Sequence, residues 1–251
     1  MKDIIKADFY YYHKNVILFL TGVVLFAIYF GFGGLDINSH DYSGLDVSDS
    51  QLFQMVFIQN YIITLVAIII LTSVMQGKLQ SNRFFMYQLL KVRAEGIIFS
   101  KYLVQYVYNL LFCIGAYGFA TLNMCFVTHK NLFWAFFFNP HYLCVMLIDM
   151  LLLFSFTVRS VSIVLWVNSG ACGALFNWIV TATAMLPTLL AEHMEKPFVI
   201  HIAKWTLPGQ MYLLGRPEML HDIIAKSIVT SVIGIALCWI LTVCVVKKKS
   251  C

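Results

Sequence analysis

Apolar residues dominate this chain in six long runs, 16–32, 52–75, 97–126, 142–158, 161–190 and 223–246, and the stretches between them hold most of the charge. Each run has roughly 17 to 30 residues, enough to cross a hydrocarbon layer about 30 Å thick as a helix. A spanning backbone must satisfy its own N–H and C=O groups, and no ten-residue alternation of the barrel type is present, so the pattern predicts helices. The expected fold class is an all-α membrane protein with six transmembrane helices in a single domain over 1–251.

The polar stretches differ in kind. Residues 33–51 are acidic and turn-rich and read as an exposed outer loop. The other large outer stretch, 191–222, mixes Pro197, Pro208, Gly209 and Pro217 with Phe198, Trp205 and Tyr212. That composition predicts short helices resting at the outer interface, where Trp and Tyr rings favour the headgroup level. Ahead of the first run, residues 1–14 place Met1, Ile4, Ile5, Phe9 and Tyr12 on one arc of a helical wheel, broken by Asp8, with Lys2, Asp3, Lys6 and His13 on the other. The segment reads as an N-terminal amphipathic helix lying in the headgroup plane, with a frayed tail as the open alternative.

Charge adds an orientation. With six crossings, Lys2, Lys6, Lys14, Lys78, Arg83, Lys91, Arg93, Lys101, Arg159, Lys247, Lys248 and Lys249 fall on the side of the termini. Lys130, Lys196, Lys204, Arg216 and Lys226 fall on the other side, with Asp36, Asp41, Asp46, Asp49, Glu192, Glu195, Glu218 and Asp222. The Lys/Arg excess predicts that both termini are cytoplasmic. The net charge of +5 then reads as orientation and calls for no nucleic-acid partner.

A content of 61% hydrophobic and 12% charged residues, with mean hydropathy +0.81, excludes a soluble globular domain. The first run lacks a small-residue cleavage site, so it is expected to stay as a span. The seven cysteines form no CxxC pair and read as buried small hydrophobes. His129, His141, His193, His201 and His221 lack metal-ligand spacing, so no metal site is expected.

Within the runs, Asp149 stands out, because a carboxylate near the bilayer centre costs at least ~2.5 kcal/mol on insertion scales unless it meets protein, water or a proton. Two readings are open. It serves a substrate path or proton transfer, or it is a packing carboxyl bonded to Asn168 or Asn177. Ser169 to Ala174 is a run of small residues that permits close helix approach, inside one subunit or across a dimer seam.

The longest cytoplasmic connection, 76–96, reads QGKLQSNRFFMYQLLKVRAEG. Ser81 is a candidate N-cap, Phe84, Phe85, Leu89 and Leu90 supply an apolar stripe, and Arg83, Lys91 and Arg93 occupy other faces. Gly96 is expected to break the helix ahead of the third span. Such a loop suits a partner protein or, equally, anionic lipid. An enzyme is not expected: Ser155 and Thr157 near Asp149 have no accompanying His or GxSxG motif, so no catalytic residue is assigned.

Gly77, the stretch Leu89-Leu90-Lys91-Val92-Arg93 and Lys101 match, in order and spacing, the permease subunits of ABC transporters of the type-2 export family, with Gln76 in the place of that family's acidic residue. The chain resembles these permeases along its whole length, and is similar to small ones that export peptides or confer lantibiotic immunity. The resemblance implies a coupling helix over 80–93 seated in a groove of a separate ATPase. Gln80, Arg83, Phe84, Phe85, Tyr87, Gln88, Lys91 and Arg93 would make the contact, and a short second cytoplasmic loop at Arg159 would add a smaller one. It further implies two copies of that cytoplasmic ATP-binding subunit, a second permease chain, identical or homologous, and a bacterial plasma membrane. The chain itself would bind no cofactor. Gly77-Lys78 is followed by Leu79 and no GxxxxGK[ST] loop exists, so ATP and Mg belong to the partner. The expected function is ATP-driven export of an amphipathic or hydrophobic cargo; a non-transporting membrane anchor or sensor is the alternative.

Overall fold

A computed structural model of the chain describes residues 2–14, 21–24, 48–77, 93–194, 197–216 and 220–250. Among these every regular element is helical: α1 (Lys2–His13), α2 (Asp49–Gly77), α3 (Ala94–Thr128), α4 (Leu132–Phe138), α5 (Pro140–Val167), α6 (Gly170–Met194), α7 (Pro197–Ala203), α8 (Leu207–Leu214) and α9 (Leu220–Ser250). The expected first span lies outside the described residues except for 21–24, which are helical.

Local chemistry explains the boundaries. Ser48 and Gln51 form a reciprocal capping box at the start of α2: Ser48 N donates to Gln51 Oε1 at 3.1 Å and Gln51 N to Ser48 Oγ at 3.4 Å. Asn139 caps α5 by accepting from His141 N at 3.0 Å, with Pro140 in the first turn, where its missing N–H is harmless. His129 and Asn168 end α3 and α5 in the left-handed region, at φ 54° and 57°.

Among the described residues four helical stretches are long and apolar enough to cross a membrane, Ala94–Phe126, Pro140–Val167, Gly170–Ala191 and His221–Lys248. They mark the chain as a membrane protein. α2 is 29 residues long and contains a shorter apolar stretch, Thr64–Gln76.

Three expectations are corrected. The turn between the fourth and fifth runs is not at Arg159: α5 continues through it to Val167, because Ser160 and Ser162 are tolerated in a helix and Ser162 returns its hydroxyl to the Val158 carbonyl at 2.7 Å. The chain turns instead at Asn168, and the small residues beyond it let α6 fold back closely; a Cβ on Gly173 would lie 2.9 Å from Val164 Cγ2. Gly96 does not break a helix, since α3 starts at Ala94 and Gly96 N donates to the Arg93 carbonyl at 3.0 Å. Finally, of the short helices in 191–222, α8 does not rest at an interface. Every residue of it from Pro208 to Leu214 is buried, where it packs among α2, α5, α6 and α9.

α5 is the central helix, with 67% of its apolar window buried, against 17% for α6 and 11% for α9. In lipid an outward apolar face costs little, so close packing and polar bonds hold such helices together. One core lies around α8 and an aromatic group in which Phe53 stacks on Tyr142 at 4.4 Å and meets Phe136 edge-on at 5.1 Å. A second joins Tyr12 of α1 to Leu71, Met75 and Val104, and a third joins α3, α5 and α9 through Ile98, Tyr102, Val158, Val161 and Val246. Lys247 meets Glu95 at 2.6 Å, and Asp8 of α1 meets Ser100, so α1, the start of α3 and the end of α9 share one end of the described bundle. Asp222, near the start of α9, pairs with Lys204 at 2.7 Å and with Lys226.

Candidate functional site

The polar side chains gathered inside the bundle begin beside the long basic connection. Its flanks are Gln76 at the end of α2 and the first turns of α3, and α1 is tied to both. Asp8 is fully buried and accepts from Ser100 Oγ at 2.7 Å. One turn on, the buried Tyr12 hydroxyl accepts from Gln76 Nε2 at 3.2 Å. The same Gln76 nitrogen donates to Gln105 Oε1 at 3.2 Å, Gln105 Nε2 donates to Asn109 Oδ1 at 3.0 Å, and Asn109 Nδ2 donates to Thr157 Oγ1 of α5 at 3.0 Å.

This is a continuous relay from α1 through α2 and α3 to the central helix. At ~1.5 Å per residue, Asn109 lies roughly 22 Å along α3 from its start, so the relay reaches deep into the apolar zone. Lys101 is buried on the same helix, and the spacing Lys101, Gln105, Asn109 keeps all three on one face. Each bond in such an interior is strong because its alternative is an unpaired polar group in hydrocarbon.

A second knot pins α3, α5 and α9. The Tyr102 hydroxyl is 2.6 Å from Ser162 Oγ and 3.1 Å from Thr242 Oγ1, which also accepts from Trp166 Nε1 at 3.1 Å. Towards the opposite end, Thr230 Oγ1 donates to Gln210 Oε1 at 2.9 Å and so holds α8 against α9.

The residues expected to contact an ATPase are distributed differently. Gln80, Arg83, Phe84, Phe85, Tyr87, Gln88 and Lys91 lie outside the described residues. Arg93 is exposed in the N-cap position of α3, at the end of the bundle where α1 packs. Arg159 lies within α5, where its Nη2 donates to Thr181 Oγ1 of α6 at 2.7 Å; a loop contact there is overturned by the unbroken helix. Asp149 is buried in α5, but Asn168 and Asn177 are not its partners: Asn168 ends the helix, and neither amide atom of Asn177 has a hydrogen-bond partner among the described residues.

Asp8, Tyr12, Gln76, Ser100, Gln105, Asn109 and Thr157 were not singled out from sequence as a site. A signal was present. Polar residues recur every fourth position at 101, 105 and 109 inside an apolar run, and Asp8 interrupts an otherwise apolar arc. No family model, curated protein or solved structure matches the chain.

Proposed function

We propose that this chain is the membrane-spanning permease subunit of an ATP-driven exporter, with both termini cytoplasmic, α1 at the headgroup level and the connection 78–92 docking on a separate ATP-hydrolysing subunit. What carries the reading is that both flanks of that connection, Gln76 and Ser100, are bonded to α1, and that Gln76 starts the relay ending at Thr157. A loop that only held lipid would need no such path. A push on the connection is delivered to α1, α2 and α3 together and through Asn109 to α5, around which the other helices pack. Motion travels through contiguous elements of this kind when both ends bias their arrangement.

The cargo is amphipathic or hydrophobic, in keeping with the apolar and aromatic interior, and the chain works beside a second permease. The test is reconstitution with the candidate ATPase in proteoliposomes. Phe84→Ala/Phe85→Ala is expected to abolish co-purification, whereas Gln105→Leu, which cuts the relay, is expected to retain the partner and lower ATP-dependent cargo movement at least about tenfold, a barrier change near 1.4 kcal/mol. Full transport by the Gln105 variant would refute the coupling role. Absence of any stimulated ATPase would leave the anchor or sensor reading in its place.

A further inference from the structure

Arg159 is set about 12 Å from the end of α5, at ~1.5 Å per residue, well inside the apolar length of the helix. A guanidinium stays charged there, and its cost in hydrocarbon is several kcal/mol unless it is paired. The protein provides only partial compensation. Nη2 donates to Thr181 Oγ1 at 2.7 Å and the guanidinium carbon lies 4.4 Å from the Phe156 ring centre, while Nε has no partner and no carboxylate pairs with Arg159 among the described residues.

Two more polar groups in the same region are unmatched. Asn177 is fully buried one turn before Thr181 on α6, and both its amide atoms lack partners among the described residues. Ser160 is also fully buried, with its hydroxyl unpartnered. The contact of Val164 with Gly173 and the bond from Arg159 to Thr181 set an antiparallel register that carries Ser160 to the level of Asn177. The free donors here are therefore a guanidinium N–H, an amide NH2 and a hydroxyl. Thr181, whose own proton goes to the Asn177 carbonyl at 2.7 Å, holds the guanidinium in place. Water satisfies an amide or a hydroxyl but leaves the charge uncompensated, whereas an oxyanion compensates the charge and accepts from donors of this kind, with water left to meet the Asn177 Oδ1.

We propose that Arg159, Ser160 and Asn177, with Thr181 as positioning residue, form an intramembrane site for an anionic oxygen group, a carboxylate or phosphate. The group comes from a lipid headgroup or from a free or transported anion. The inference does not rest on the exporter reading, because it is argued from Arg159, Ser160 and Asn177 alone and holds whether or not the chain moves cargo.

The experiment is thermal unfolding of the full chain in nanodiscs. Wild type, Arg159→Gln and Asn177→Leu are compared in neutral phosphatidylcholine, in phosphatidylcholine with phosphatidylglycerol, and in neutral discs titrated with inorganic phosphate or acetate against chloride at matched ionic strength. A wild-type midpoint raised by phosphatidylglycerol alone identifies a lipid headgroup; one raised by phosphate or acetate in neutral discs identifies a free anion. In either case the apparent affinity is expected to fall at least about tenfold in both variants, ~1.4 kcal/mol. The proposal is overturned if no anion raises the wild-type midpoint above chloride, or if Arg159→Gln responds equally. Should Arg159→Gln fail to fold, the wild-type titration and Asn177→Leu decide the matter.

Discussion

Gln76 directs one amide nitrogen at two acceptors, the Tyr12 hydroxyl and the Gln105 carbonyl oxygen, each at 3.2 Å in a fully buried setting. A carboxylate at this place would turn both contacts from donation to acceptance and bury a charge. Gln76→Glu is therefore expected to lower the thermal midpoint in detergent. The loss is expected to be larger at alkaline than at mildly acidic pH, because protonation removes the charge and restores one donor. Equal loss at both pH values would show that the amide's hydrogen bonds, rather than a buried charge, set the effect. Gln76 was legible as the end of a span and as a departure from an acidic pattern. Its partners were not, since Tyr12 and Gln105 are far from it in sequence and meet it only after three helices pack.

At the scale of elements, the α5–α6 hairpin shows where reading by charge fails. Arg159 looks like a loop residue because cations are rare in spans, yet it lies within α5, where Thr181 and Phe156 meet part of its needs, and the turn moves to Asn168. The small residues after that turn are used within the subunit at Gly173, whose approach to Val164 leaves no room for a Cβ. Gly173→Ala is expected to destabilise the hairpin by about 1–3 kcal/mol, the usual scale for overpacking, and Val164→Ala in the same chain to restore part of it. Unfolding in nanodiscs measures both, and strict additivity of the two changes would argue against the contact. α8 makes the complementary point. Its prolines and aromatics announced a short helix, but not that it would be enclosed by four neighbours.

For the whole molecule, each end of the described bundle carries its own ion pairs. Glu95 with Lys247 and α1 lie at one end, and Asp222 with Lys204 and Lys226 lie where α9 begins. Single cysteines at Lys2 and Lys248 are expected to react with an impermeant thiol reagent from the same side of oriented vesicles, and one at His201 from the opposite side, in a background lacking the seven native cysteines. Labelling of the first two from different faces would break the arrangement. Helical identity and membrane residence were determined by the sequence alone, because a run of apolar residues long enough to cross lipid has few ways to satisfy its own backbone. The same holds for the runs 97–126 and 223–246, each falling within a helix long and apolar enough to cross a membrane, whereas 52–75 lies within α2, whose apolar stretch is the shorter Thr64–Gln76. Tertiary structure alone decided which polar residues meet. Hydropathy measures the cost of placing Asp8, Gln105, Asn109 or Arg159 in an apolar environment, but whether that cost is met depends on which atoms of other helices arrive within hydrogen-bonding distance.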